Sequence, residues 1–133
     1  MASIRREVHV SVAADTAWDA IRDIGALHTR LVKGFVTDCK MDGGDARIVT
    51  FANGLVAREV IVDVNHDDRR LAWSAVGGRL SHHNASVQVF AEGEGRCHLV
   101  WIADLLPHEM APAIATMIDH GMSAMRRTLE GAA

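Results

Sequence analysis

With 133 residues the chain has room for about one domain on a scale of ~150 residues each, which excludes a second independent catalytic module. Hydrophobic residues make up 49% and charged residues 23%, excluding disorder of the low-hydrophobicity kind. The 14 Lys and Arg against 17 Asp and Glu give a net charge of -3 with no basic cluster, and aromatics are only 5%, so both the electrostatic footprint and the stacking platforms of a nucleic-acid binder are missing.

Six Met and eleven Gly accompany those few aromatics. A core of Met, Val, Ile and Ala is either softly packed or surrounds a space that something else fills. The longest unbroken apolar run, Leu99 to Ala103, falls far short of the ~18 residues of a membrane span. The first ten residues alternate instead of presenting an apolar signal core, which points to a cytoplasmic protein. Cys39 and Cys97 lie in no Cys-x-x-Cys or zinc-type spacing and read as reduced structural thiols.

Ile4 to Val12 alternates, with Ile4, Val8, Val10 and Val12 on one face, the period of a half-buried strand. A short helix is predicted over Thr16 to Ile24, with Asp15 as N-cap and Gly25 ending it; Leu27, Leu31 and Val32 form a second helical patch. Strand character returns at Phe35 to Met41. The Asp42-Gly43-Gly44-Asp45 turn leads to a strand over Ala46 to Phe51, and the Asn53-Gly54 turn to a longer one over Leu55 to Val64. Arg70 to Val76, His82 to Phe90 and Cys97 to Leu106 complete a meander. After Pro107 the period becomes helical: Met110, Ile114, Met117, Ile118, Gly121, Met125 and Leu129 form one stripe, with Pro112 tolerated in the first turn. This order predicts an α+β helix-grip fold in a single domain: a curved antiparallel sheet of about seven strands wrapped around a long C-terminal helix, with two short helices after strand one.

The segments Ala14 to Trp18, Phe51 to Gly54 followed by Arg58-Glu59, Arg69 to Leu71 leading to Val76-Gly77-Gly78, Trp101 to Pro107 and Met122 to Glu130 occur in an order that resembles the START/Bet v1-like (SRPBCC) superfamily. That group includes bacterial polyketide cyclase/dehydrase-like and lipid-transport proteins and the plant abscisic-acid receptors. The resemblance implies a cavity between sheet and terminal helix that holds a small, mostly apolar molecule. It implies no single chemistry, because the superfamily contains carriers, receptors and enzymes.

Glu59 interrupts an apolar strand, where an unpaired carboxylate is costly to bury. Facing inward it would be suited to give or take a proton; facing outward it would be merely solvated. By the resemblance its counterpart lines the ligand cavity. His82, Asn84, Ser86 and Gln88 share one strand face, and His83, Ala85, Val87 and Val89 the other. If the first set points inward it offers an imidazole able to exchange a proton; if the second does, the first is the wet side. The resemblance selects Asn84 and Ser86 as lining residues. Thr37, Trp73, Met117, Gly121 and Met125 complete the candidate lining. Gly121 leaves room either for a ligand or for a closely approaching strand. Thr37 stands where the abscisic-acid receptors use a cavity lysine, and no His-Arg latch follows Gly77-Gly78, so a hormone-gated switch is not supported.

Eight histidines show no His-x-x-x-His pair and no Cys/His cluster, so no metal and no other cofactor is expected. Three readings of function follow: binding of a lipid, polyketide or aromatic metabolite; a cyclase/dehydratase using Glu59 or His82; or a protein-interaction module without a cavity. Nucleic acid is not an expected partner, and monomer and homodimer both remain open.

Overall fold

The computed structural model describes residues 1–131. Strand β1 (Ala2–Val10) is followed by helix α1 (Ala14–Arg22), a 3-10 turn at Ile24–Ala26 and a π-helical turn at Leu27–Leu31. Six strands come next: β2 (Val36–Met41), β3 (Ala46–Phe51), β4 (Val56–Asn65), β5 (Arg70–Val76), β6 (His82–Ala91) and β7 (Cys97–Leu106). A 3-10 turn at His108–Met110 then leads into α2 (Ala111–Gly131). The strands form one curved sheet in the order β1-β7-β6-β5-β4-β3-β2, every neighbouring pair antiparallel. This is the α+β helix-grip architecture expected from the element order.

Helix α1 begins earlier than predicted, and Ala13, not Asp15, is its N-cap, with no side-chain cap bond. Ala14, Ala17, Trp18 and Ile21 are buried, a helical stripe that runs from the first residue and needs the helix to start there. Asp15 instead lies in the first turn and accepts hydrogen bonds from Arg69 Nε and Nη2 at 3.0 and 2.9 Å. The patch at Leu27, Leu31 and Val32 forms as expected but as a wide π turn.

The terminal stripe splits in two. Ile118, Gly121, Met125 and Leu129 are buried against the rest of the core, whereas Met110, Ile114 and Met117 are only half-buried. The C-terminal half of α2 is therefore packed, and its N-terminal half borders open space. No helix among the described residues is long and apolar enough to cross a membrane.

Two bulges set which side chains face inward. β2 slips against β3 between Val36 and Asp38, leaving Thr37 unpaired, and β4 slips against β5 between Ile61 and Asp63, leaving Val62 unpaired. The β4 bulge falls after Glu59, so Glu59 shares a face with its cross-strand partners Arg47 and Ala75.

Candidate functional site

A cavity of about 600 Å³ lies between the sheet and α2. Leu71, Trp73, Val87 and Trp101 line it from the sheet, Phe35 and Phe51 from the edge, and Ile114, Met117, Ile118 and Met125 from the helix. Its exposed lining residues mark the mouth: Asn53, Leu55 and Val56 at the β3–β4 turn, Gly77 to Arg79 at the β5–β6 loop, and Ala113 on the first turn of α2.

Three polar side chains interrupt this apolar wall. Arg47 and Glu59 are both buried, and Arg47 Nε donates to Glu59 Oε1 at 2.9 Å. A second guanidinium nitrogen, Nη1, donates to the Ile24 carbonyl at 3.1 Å, and the guanidinium carbon lies 5.9 Å from the Trp73 ring centroid, a cation–π distance. The pair is thus fixed from three sides. Of the Glu59 carboxylate oxygens only Oε1 takes part in a hydrogen bond among the described residues, and Glu59 lines the cavity.

The third polar group is His83. Its Nδ1 accepts the Ala75 backbone N–H at 2.9 Å, which places the proton of the neutral ring on Nε2. Burial pushes the His83 pKa down from its ordinary value, and the neighbouring His82 pushes it the same way. His83 therefore stands on the cavity wall as a neutral N–H donor. A counterbalanced ion pair and a neutral imidazole make a polar end without net charge, suited to carbonyl, hydroxyl or phenol groups.

Of the residues singled out in the sequence, Glu59, Trp73, Met117 and Met125 line the cavity. Glu59 meets Arg47 there, not the apolar surroundings its strand suggested. Gly121 serves the close approach: a Cβ at that position would sit 2.8 Å from Trp101 Cζ3 and 3.3 Å from Phe35 Cε2.

The remaining candidates lie away from this cavity. His82 is exposed, and Asn84 and Ser86 join Gln88 and Asp104 around a small recess on the opposite side of the sheet. The two-residue period allows one face only, and the core takes Ala85, Val87 and Val89, each nearly inaccessible, which carries His83 inward and its neighbours out. Thr37 is exposed in its bulge, and its hydroxyl donates to the Thr50 carbonyl.

Sequence reasoning missed Arg47, His83, Trp101, Phe35 and Phe51. A usable signal existed for Arg47. A tight turn centred on Asn53 pairs positions equidistant from it, which sets Arg47 opposite Glu59, and that is the observed register. No comparable local signal marks Phe35, which reaches the cavity through the packing of a loop.

The curved antiparallel sheet gripping a long helix defines a START-like helix-grip architecture. The chain matches the family described as polyketide cyclase / dehydrase and lipid transport over residues 1–130, and it belongs to that family. Among solved structures it is similar to an uncharacterized protein from Bacillus thuringiensis, at 14% identity and a TM-score of 0.86, covering 96% of this chain and 98% of that one. A START superfamily protein from Mycobacterium smegmatis shares 12% identity with a TM-score of 0.76 over 98% and 95% of the two chains. A point mutant of Thalictrum flavum norcoclaurine synthase, in complex with a transition-state analogue, shares 20% identity with a TM-score of 0.74 over 98% and 95%. At these identities the likeness is one of fold. No curated protein matches the chain.

Proposed function

We propose that the protein binds a small, largely apolar molecule in the cavity between sheet and α2, with the molecule's polar end at Arg47, Glu59 and His83. The observation that carries this reading is the cavity itself: about 600 Å³, walled mainly by apolar side chains, with three polar groups set into that wall. Such a space fits a lipid, polyketide or aromatic metabolite, and a well-formed apolar pocket with a few polar groups is the usual form of a ligand site. Apolar burial supplies affinity at ~25 cal/mol per Å², and the uncharged polar end selects neutral hydrogen-bonding groups over carboxylates or amines.

Trp73 and Trp101 both line the cavity, their ring centroids 5.7 Å apart, so occupancy reads out as a change in their fluorescence. The test is native mass spectrometry of the purified chain, followed by fluorescence titration with a neutral polycyclic phenol and a long-chain fatty acid. A co-purifying small molecule, or saturable quenching by the phenol that Trp73→Leu weakens, is the expected result. A chain that carries no ligand and shows no saturable response to either probe rejects the proposal, and tighter binding of the fatty acid than of the phenol rejects the neutral polar end.

A second reading, an enzyme of the cyclase/dehydratase type, draws on one observation: Glu59 and His83 both line the cavity, and their hydrogen bonds among the described residues use only Oε1 and Nδ1. A carboxylate and a neutral imidazole on one wall form a general base and a hydrogen-bond donor. His82, exposed on the other side, drops out of this role. The two readings separate on Glu59→Gln: a binding protein keeps its ligand with altered affinity, whereas an enzyme keeps binding and loses turnover.

A further inference from the structure

On the outer face of the sheet, away from the cavity, strand pairing assembles four side chains from two stretches of chain distant in sequence. His9 of β1 and His98 of β7 are direct cross-strand partners. Glu92, in the β6–β7 turn, brings one oxygen, Oε1, to 2.6 Å from His9 Nδ1 and 3.1 Å from His98 Nδ1. On the far side of both rings, Glu7 Oε1 lies 3.8 Å from His9 Nε2 and 3.5 Å from His98 Nε2. The ring of His98 is stacked on Phe90, centroids 5.0 Å apart and 16° between planes, so its orientation is fixed.

This arrangement is two-sided. Both Nδ1 atoms lie against the same carboxylate oxygen, and His9, Glu92 and His98 each offer one ligand atom within 4.8 Å of the other two. Both Nε2 atoms face a second carboxylate. Metal-bound imidazoles coordinate through one nitrogen and donate the other N–H to a carboxylate or carbonyl, which fixes the ring and raises its basicity. Two imidazolium rings, each with two N–H donors, would pair with the same two carboxylates, so direct metal titration separates an ion site from an ion-paired cluster.

We propose that His9, His98 and Glu92 form a binding site for one divalent ion of the zinc class, with Glu7 orienting both imidazoles and water completing the coordination. Two imidazoles and one carboxylate form a borderline nitrogen and oxygen donor set that suits zinc-like ions over magnesium or calcium, which take oxygen. A bound ion would clamp β1 to β7 and hold the β6–β7 turn, at a site independent of the cavity. Sequence spacing hid it because the ligands come from one strand, its non-sequential neighbour and a turn.

The test is calorimetric titration of the full, metal-free chain with zinc chloride alone, with magnesium chloride as the comparison. Histidine ring proton shifts followed by NMR locate the ion. One zinc per chain is expected, with His9 and His98 signals shifting first and no response to magnesium. His9→Gln and His98→Gln should each weaken zinc binding by more than tenfold, and Glu7→Gln by about tenfold, as for removal of an orienting carboxylate. These positions are at the surface, and unchanged far-ultraviolet circular dichroism verifies that each variant folds. Zinc affinity equal in wild type and in the His9→Gln/His98→Gln double variant, or shifts centred on other histidines, would overturn the proposal and leave an ion-paired surface cluster only.

Discussion

Arg47 and Glu59 form a salt bridge in which both side chains are almost fully withdrawn from solvent, 3% and 9% exposed. Desolvation nearly cancels the attraction within such pairs, but removing one partner strands a buried charge and costs up to about 3–5 kcal/mol. Glu59→Gln should accordingly lower stability, and the double variant Arg47→Met/Glu59→Leu should recover most of it; urea midpoints of the two variants decide. His83 makes a second prediction. Because burial and His82 lower its native pKa below the ordinary 6.5, the folded chain binds fewer protons than the unfolded one just under that value. The stability associated with the neutral ring is intact above the unfolded-state value and is lost as pH falls through it toward the lowered native value. Urea midpoints measured from pH 7 downward should therefore decline less steeply in His83→Gln than in wild type.

Helix α2 divides its work along its length, and Gly121 marks the division. Its missing side chain admits the Trp101 indole, which also walls the cavity. Gly121→Ala adds about 1 kcal/mol of helix propensity and sets a methyl 2.8 Å from the far edge of that indole, so the ring must shift. Overpacking of about 1–3 kcal/mol opposes that gain, so stability should stay level or fall modestly, while tryptophan fluorescence changes and affinity for an apolar cavity probe falls. Unchanged fluorescence and affinity would show that the helix, not the indole, gives way. The sheet is bulged both at edge strand β2 and at interior strand β4. Thr37 and Val62 are extruded at bulges, and the second bulge occurs beyond Glu59, which preserves the inward parity of the cavity stretch of β4.

At the scale of the molecule, the buried thiols report opening. Burial raises both, Cys97 to about 11, so neither ionises near neutral pH. Native protein should resist alkylation until it opens. Cys39 on edge strand β2 should then react before Cys97 on β7, which is flanked by β1 and β6; pulsed alkylation with mass spectrometry gives the order. A ligand of the cavity should raise the melting temperature with concentration, contributing about 2.7 kcal/mol at one hundred times its Kd.

The fold was legible in the sequence because each element carries its own period: alternation in the strands, glycine-bearing turns such as Asp42 to Asp45, and a helical stripe after Pro107. Glu59 was legible as an intrusion because a carboxylate in an apolar strand breaks that period. Local pattern could not assign faces where both sides of a strand carry mixed residues. In β6, only the requirement that Ala85, Val87 and Val89 fill the core turned His83 inward and left Asn84 and Ser86 outside. Nor could spacing reveal partners supplied across the sheet, as Arg47 is to Glu59 and His98 to His9. The sequence by itself thus determined the elements and their order, because periodicity is a property of neighbouring residues. Tertiary structure decided the cavity, its polar wall and the outer histidine cluster, because strand register and close packing bring together residues that no local pattern connects.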